Sequence, residues 1–269
     1  SGPIKTFTMG FPSFGFDERS EAAAFAKHLG AEHHAFEATP EAALAIVDDI
    51  IEQYDAPYAD SSAIPTWLLA KQTRQEVKAV MTGDGGDELF AGYRRYGYFA
   101  QAARFGRGSM AWLVSTGCRI RSWFDRDPRW TRMAATIEGL HRSWGRGYGE
   151  LFTGAYFGHD ATMRLLQDEF RQKTEQSDAT RFVASKYNEA LGLQGAMDFD
   201  LRSYLPDCLN VKMDRASMAH GLEARSPFLD QELAHFVTTL PLSVLMENGK
   251  QKSLLRRALA GLVPDEIFD

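Results

Sequence analysis

Two rhythms of apolar and polar positions run along this chain, and the first gives way to the second near Tyr96. Ile4 to Phe11 (IKTFTMGF) mixes β-branched and aromatic residues and closes on Gly10 and a Pro12-Ser13 turn, which predicts a buried strand. Asp17 and Glu18 then stand where carboxylates suit the positive end of a helix, and Ala22, Phe25, Ala26 and Leu29 recur at helical spacing until Gly30 stops it. Glu32 to Glu37 predicts a second short strand. Thr39 followed by Pro40 opens a predicted helix that carries Leu44, Ile46, Val47, Ile50 and Ile51. After the loop Tyr54 to Asp60, Ser61 to Glu76 reads as a helix with Pro65 near its first turn, and Val77 to Thr82 (VKAVMT) as a strand.

Strands alternating with helices predict an α/β fold with a doubly wound parallel sheet. Beyond Tyr96 the periodicity is helical and strand-like runs are few, so a parallel-sheet part over 1–96 is expected to be followed by a helical part over 97–269. Gly154 to Ser177 is weakly patterned and is expected to hold a loop, and Pro264 to Asp269 looks like the start of another segment.

Composition narrows the classes. The chain has 269 residues, 44% of them hydrophobic and 25% charged, as in a soluble globular protein. A formal charge of -6 argues against nucleic acid as a partner, because phosphate binding comes with a basic excess. Arg119, Arg121, Arg129, Arg132, Arg142 and Arg146 do crowd the middle of the chain and read as a solvated helix face. Cys118 and Cys208 lie far apart and outside any metal-ligand spacing, which fits a reducing, cytoplasmic setting. Charge interrupts every apolar stretch before the ~20 residues a spanning helix needs, so no membrane partner is expected.

Candidate chemistry sits in four places. Gly83-Asp84-Gly85-Gly86-Asp87-Glu88 follows the strand that ends at Thr82, where open α/β sheets bind ligands and glycines let backbone N–H groups approach a phosphate. The loop has no lysine and three acids. Carboxylates beside phosphates repel them unless a hard cation intervenes, which points to Mg²⁺. Equally, Asp84 can cap the next helix while Asp87 and Glu88 complement its dipole. Asp55, Asp60, Ser61 and Ser62 form a polar loop that can hold an amino-acid substrate or simply cap a helix. Lys212 to Asp230 packs Asp214, Arg215, Glu223, Arg225 and Asp230 among apolar residues, as an ion network or a substrate pocket. Lys250 and Lys252 are basic groups able to reach a phosphate.

TGDGGDELFAGYRRY (Thr82 to Tyr96), DAPYADSSAIP (Asp55 to Pro65), MDRASMAHGLEARSPFLD (Met213 to Asp230) and GKQKSLLRRAL (Gly249 to Leu259) resemble successive blocks of the synthetase domain of glutamine-hydrolysing asparagine synthetases. They stand in that family's order, together with IKTFTMGF and FDE (Phe16 to Glu18), while Gly97 to Asn188 matches no block. The resemblance implies an ATP pyrophosphatase fold of the adenine nucleotide alpha hydrolase type. It also implies ATP-dependent activation of the aspartate side chain as an adenylate, followed by attack of ammonia supplied by a glutaminase domain. A homodimer is compatible with it. Carried over by residue, Asp87 would ligate Mg²⁺, Asp84 would stand beside the reacting centre where the family usually has Glu, and Lys252 would neutralise developing pyrophosphate charge. Met9, Thr82 and Gly83 would line the adenosine site, with Gly85 and Gly86 completing the ATP loop. Asp55, Asp60, Ser61, Ser62, Glu223 and Arg225 would face the acid substrate.

Two departures qualify the resemblance. The family's Ser-Gly-Gly-x-Asp-Ser-Ser phosphate loop would stand just before Ile4, and neither it nor the glutaminase domain with its nucleophilic cysteine is in this sequence. The expectation is either a longer protein or an inactive piece. Competing functions are an amidotransferase or lactam-forming synthetase acting on another acid, and a non-catalytic nucleotide-binding scaffold. Mg²⁺-dependent ATP binding would set the catalytic readings apart from the scaffold.

Overall fold

A computed structural model describes residues 2–11, 17–154, 159–174 and 178–264. The Pro12-Ser13 turn, Phe16 of the FDE match, part of the 154–177 loop and nearly all of the 264–269 segment lie outside them. The fold is mixed α/β and mostly helical, with two small parallel sheets among the described residues.

The first compact unit comprises residues 1–85, 205–234 and 254–269. Strand β1 (Lys5–Gly10) pairs in parallel with β2 (Glu32–Glu37), Lys5 opposite Glu32, and helix α1 (Arg19–His28) connects them. Gly30 ends that connection with φ 65°, a conformation only glycine adopts without cost. The helix predicted after Pro40 is instead two, α2 (Pro40–Leu44) and α3 (Val47–Tyr54). The Thr39 hydroxyl accepts the Ala42 amide at 3.2 Å and starts α2 as the sequence suggests. The chain then turns at Ile46, which is buried, while Leu44 and Ile51 face solvent. Apolar spacing alone does not say which of these residues the core takes.

Helix α4 (Ala63–Glu76) leads to strand β3 (Ala79–Met81). Trp67 and Leu68 of α4 join Ile46, Tyr54 and Ala216 in the core of this unit. Strand β3 pairs in parallel with β4 (Glu223–Arg225), a strand the sequence pattern does not announce. The stretch from Lys212, expected to be helical with the rest of 97–269, is therefore helical only in part. It is helical to Met218, turns through Gly221 at φ 66°, and runs extended from Glu223.

The second unit comprises residues 86–204 and 235–253. It contains α5 (Gly86–Leu89), α6 (Arg94–Gly106), α7 (Ala111–Asp125), α8 (Pro128–Arg142), α9 (Trp144–Thr153), α10 (His159–Leu165), α11 (Asp168–Thr174), α12 (Ala179–Lys186) and α13 (Gly195–Phe199). Tyr96, Phe99, Ile137, Leu140 and Tyr148 fill its core from α6, α8 and α9. Asp127 shows why α8 begins where it does: its carboxylate accepts the Arg129 amide at 2.9 Å and Pro128 takes the first helical position. Among the described residues no helix is long and apolar enough to cross a membrane.

Candidate active site

The glycine-rich loop after β3 begins as an extension of the β3 and β4 pair. Thr82 donates its amide to the Arg225 carbonyl at 2.8 Å, and the Ser226 hydroxyl donates to the Asp84 carbonyl at 2.5 Å. The Asp84 carboxylate accepts the Thr82 hydroxyl at 2.7 Å, so its hydrogen bond runs back to the strand end and not to α5. Gly85 has φ 83°, and a Cβ there would lie 2.3 Å from Leu229 Cδ2. Backbone strain and packing both require glycine at this point. The first unit's opening segment ends at Gly85, and Gly86 is buried at the start of α5.

Within the second unit, α5 presents Asp87 to Lys252: Oδ1 and Nζ lie 2.6 Å apart, with 38% and 39% of the respective side chains exposed. Both backbones are fixed. The Lys252 amide donates to the Phe90 carbonyl at 3.1 Å with Lys252 itself at φ 53°, and the Gly92 amide donates to the Asp87 carbonyl at 2.8 Å. A Cβ on Gly92 would fall 2.0 Å from Asp87 Oδ1 and 2.4 Å from Lys252 Cε. The ion pair exists because position 92 has no side chain. Gly92→Ala is expected to displace the pair and to cost ~1–3 kcal/mol through overpacking, measured by urea unfolding. Gly97→Ala, in α6 with nothing within 4 Å of its added Cβ, should be neutral or stabilising.

Glu88, next to Asp87, points inward and is 1% exposed. Its Oε1 accepts the Tyr93 hydroxyl at 2.5 Å, and burial pushes its carboxyl up. The Arg95 guanidinium lies 3.7 Å from the Tyr93 ring centroid and donates to Asp200 Oδ2 at 2.7 Å. That same oxygen accepts the hydroxyls of Tyr96 at 2.5 Å and Tyr148 at 2.8 Å. Asp200 Oδ1 is buried without a hydrogen-bond partner among the described residues. Burial therefore pushes the Asp200 carboxyl up against the pull of Arg95 and the tyrosines. A buried polar network of this kind holds α6, α9 and the end of α13 in one arrangement.

The substrate-side candidates separate. In the first unit Asp60 Oδ1 accepts the Ser62 amide at 2.9 Å and hydroxyl at 2.7 Å, and Lys212 Nζ reaches Asp60 Oδ2 at 3.1 Å and Ser62 Oγ at 2.6 Å. Burial raises the Asp60 carboxyl, but the Ser62 and Lys212 contacts outweigh it and the net direction is down. Tyr58 donates to the Cys208 carbonyl at 2.6 Å beside this cluster. Ser61 is exposed, and Asp55 is exposed at the left-handed end of α3 with φ 60°. Glu223 and Arg225 are exposed and paired with each other at 2.7 Å. Asp230 accepts the amides of Glu232 and Leu233, both at 3.1 Å, and so starts the next helix. Lys212 heads the charged stretch that the sequence flags, but its contact with Asp60 and Ser62 was not foreseen, because these partners stand 152 and 150 positions away.

Met9, Thr82 and Gly83 do meet. They line one cavity of about 1110 Å³ in the first unit, walled by β1, β3 and α4, with Arg225 also on its wall. Gly85 and Gly86 are not among its lining residues. Among the described residues no group of three or more His, Cys, Asp or Glu converges as a metal cage. The part-exposed Asp87 suits the alternative, Mg²⁺ bound through one or two carboxylates with water and phosphate oxygens completing its shell.

The asparagine synthase family model matches residues 1–269, the whole chain. The chain belongs to the asparagine synthase family. A Mycobacterium tuberculosis protein named "putative asparagine synthetase (glutamine-hydrolyzing)" is 31% identical over 98% of this chain and 39% of its own length. Asparagine synthetase (glutamine-hydrolyzing) 1 of Bacillus subtilis is 26% identical over 99% of this chain and 41% of its own. A Gibberella zeae protein named amidase chry2 is 24% identical over 99% and 42%. The chain thus spans about two fifths of the length of these relatives. Family membership accounts for the order of the four sequence blocks.

Proposed function

We propose that the protein containing this chain makes an amide at the expense of ATP, with the aspartate side chain as the acid activated. A carboxylate oxygen attacks the α-phosphorus of ATP and pyrophosphate leaves. Ammonia released from glutamine then attacks the acyl carbon of the adenylate, AMP leaves with the bonding electron pair, and the nitrogen loses a proton. Asp87 would hold Mg²⁺, which when bound supplies positive charge to the polyphosphate. Lys252, within reach of the same carboxylate, would neutralise the charge that gathers on departing pyrophosphate. Asp84 would stand beside the reacting centre, and Met9, Thr82 and Gly83 beside adenosine.

The observation that carries this reading is the Asp87 and Lys252 pair, an acid and a base fixed by backbone hydrogen bonds yet open to solvent. The Asp60, Ser62 and Lys212 cluster would orient the amino-acid substrate.

We infer also that the two strand pairs belong to one doubly wound sheet. Each of β1 and β3 has one described partner strand, and both line the same cavity. A further parallel strand between them would satisfy both free edges. The sheet part to Tyr96 would then serve nucleotide binding and the remainder would support it. The free thiols Cys118 and Cys208 agree with a cytoplasmic setting.

Phosphorus NMR of the reaction with aspartate, glutamine and ATP is the test. AMP and pyrophosphate are expected; ADP and inorganic phosphate would exclude an adenylate.

A further inference from the structure

Helix α7 turns an apolar face outward, the reverse of an ordinary surface helix. Trp112, Leu113, Ile120, Trp123 and Phe124 are all exposed, Trp123 at 79% and Phe124 at 72%. Ala111, Ser115 and Cys118 form its buried side, and α7 packs on α8. At about 100° per residue the five large side chains share one arc, with Arg119 on one border and Arg121 on the other. Arg119 reaches Glu138 at 2.7 Å and Arg121 reaches Asp125 at 2.9 Å, both in pairs open to solvent. From Arg104 to Arg132 the chain has seven arginines against two aspartates, within a sequence whose formal charge is -6.

Three kinds of outside partner would cover such a face. A second copy is disfavoured: 15 residues of helix make a stripe ~22 Å long and ~10 Å wide, about 220 Å² and well short of the ~800 Å² per partner of a stable interface, and self-pairing would oppose arginine borders. An acidic protein groove would suit the charge but has no call for two tryptophans on one edge. A lipid surface suits both. Tryptophan and phenylalanine settle at the headgroup level, and bordering arginines reach anionic phosphates while their stems lie along the apolar arc.

We propose that α7 is an in-plane membrane contact that seats the protein on an anionic lipid surface. The expectation of no membrane partner rested on the lack of a spanning segment, which an in-plane helix does not need. The arginine-rich middle of the chain is then a docking border and not a plain solvated face.

The test is cosedimentation of the purified protein with vesicles of phosphatidylcholine alone and of phosphatidylcholine mixed with phosphatidylglycerol. Binding to the anionic vesicles only, weakened by salt and reduced at least ~10-fold by Trp123→Ser with Phe124→Ser, is expected. Both positions are exposed, so the variant should keep the circular dichroism of the parent. Quenching of wild-type tryptophan emission by brominated phosphatidylglycerol is a second readout that needs no variant. Absence of binding and quenching, or binding indifferent to the substitutions, overturns the proposal. So does a dimer or a complex with an acidic protein that the same substitutions dissociate while lipid binding is absent.

Discussion

Replacing Lys252 with alanine is expected to slow the formation of AMP and pyrophosphate by ~10²–10³-fold, with the Michaelis constant for ATP little changed. The expectation follows from where Lys252 stands. Its ammonium lies 2.6 Å from Asp87, on a backbone held at φ 53° and hydrogen-bonded to Phe90. A flexible lysine elsewhere on the surface would not be fixed this way. Because the ion pair is part-exposed, its contribution to stability is small, at most ~1 kcal/mol. The alanine variant should therefore unfold at nearly the wild-type denaturant concentration while losing turnover. Steady-state kinetics with a coupled pyrophosphate assay, beside a urea titration, separates the two effects. Equal losses of stability and activity would make Lys252 a structural residue.

Asp200→Ala is expected to do the opposite, costing ~3–5 kcal/mol of stability. Asp200 is 0% exposed and its Oδ2 receives Arg95, Tyr96 and Tyr148. Removing the carboxylate leaves one guanidinium and two phenol hydroxyls in the interior without their acceptor. Asp200→Asn keeps an acceptor and should cost less. The midpoint of urea unfolding is the measurement, and an unchanged midpoint in the alanine variant would mean that the cluster rearranges around water. The two substitutions together divide the second unit into a rigid polar interior and a solvent-open ion pair at its edge.

Much of the first unit was legible because its signals are local. The β-branched and aromatic run at Ile4 to Phe11, the Thr39-Pro40 start and the Gly30 stop each act within a few residues, and β1, α1, β2 and α4 fall close to where they were expected. Strand β4 was not legible, since Glu223, Ala224 and Arg225 alternate over only three residues, too few to mark a strand. Its identity as a strand comes from pairing with Ala79 to Met81, far back in the chain. The break between α2 and α3 escaped notice for a related reason: five apolar residues fit one helical stripe, yet the core claims Ile46 and leaves Leu44 outside.

The same distinction governs the candidate site. Asp84, Asp87 and Lys252 stood out because short blocks carry them in a recognisable order. The contacts that fix the other polar groups did not. Lys212 meets Asp60 and Ser62 across 150 or more positions, and Arg95 meets Asp200 across 105. Those pairings arise only from packing, so single-sequence reading finds the acids and bases and misses who neutralises them.

Titration calorimetry of ATP binding with and without Mg²⁺, in the wild type and in Asp87→Ala, tests the central claim most directly. Binding that requires Mg²⁺ and weakens at least ~10-fold in the variant is predicted from one carboxylate holding the cation against the polyphosphate. Binding that ignores Mg²⁺, or that survives the loss of Asp87 undiminished, would contradict it.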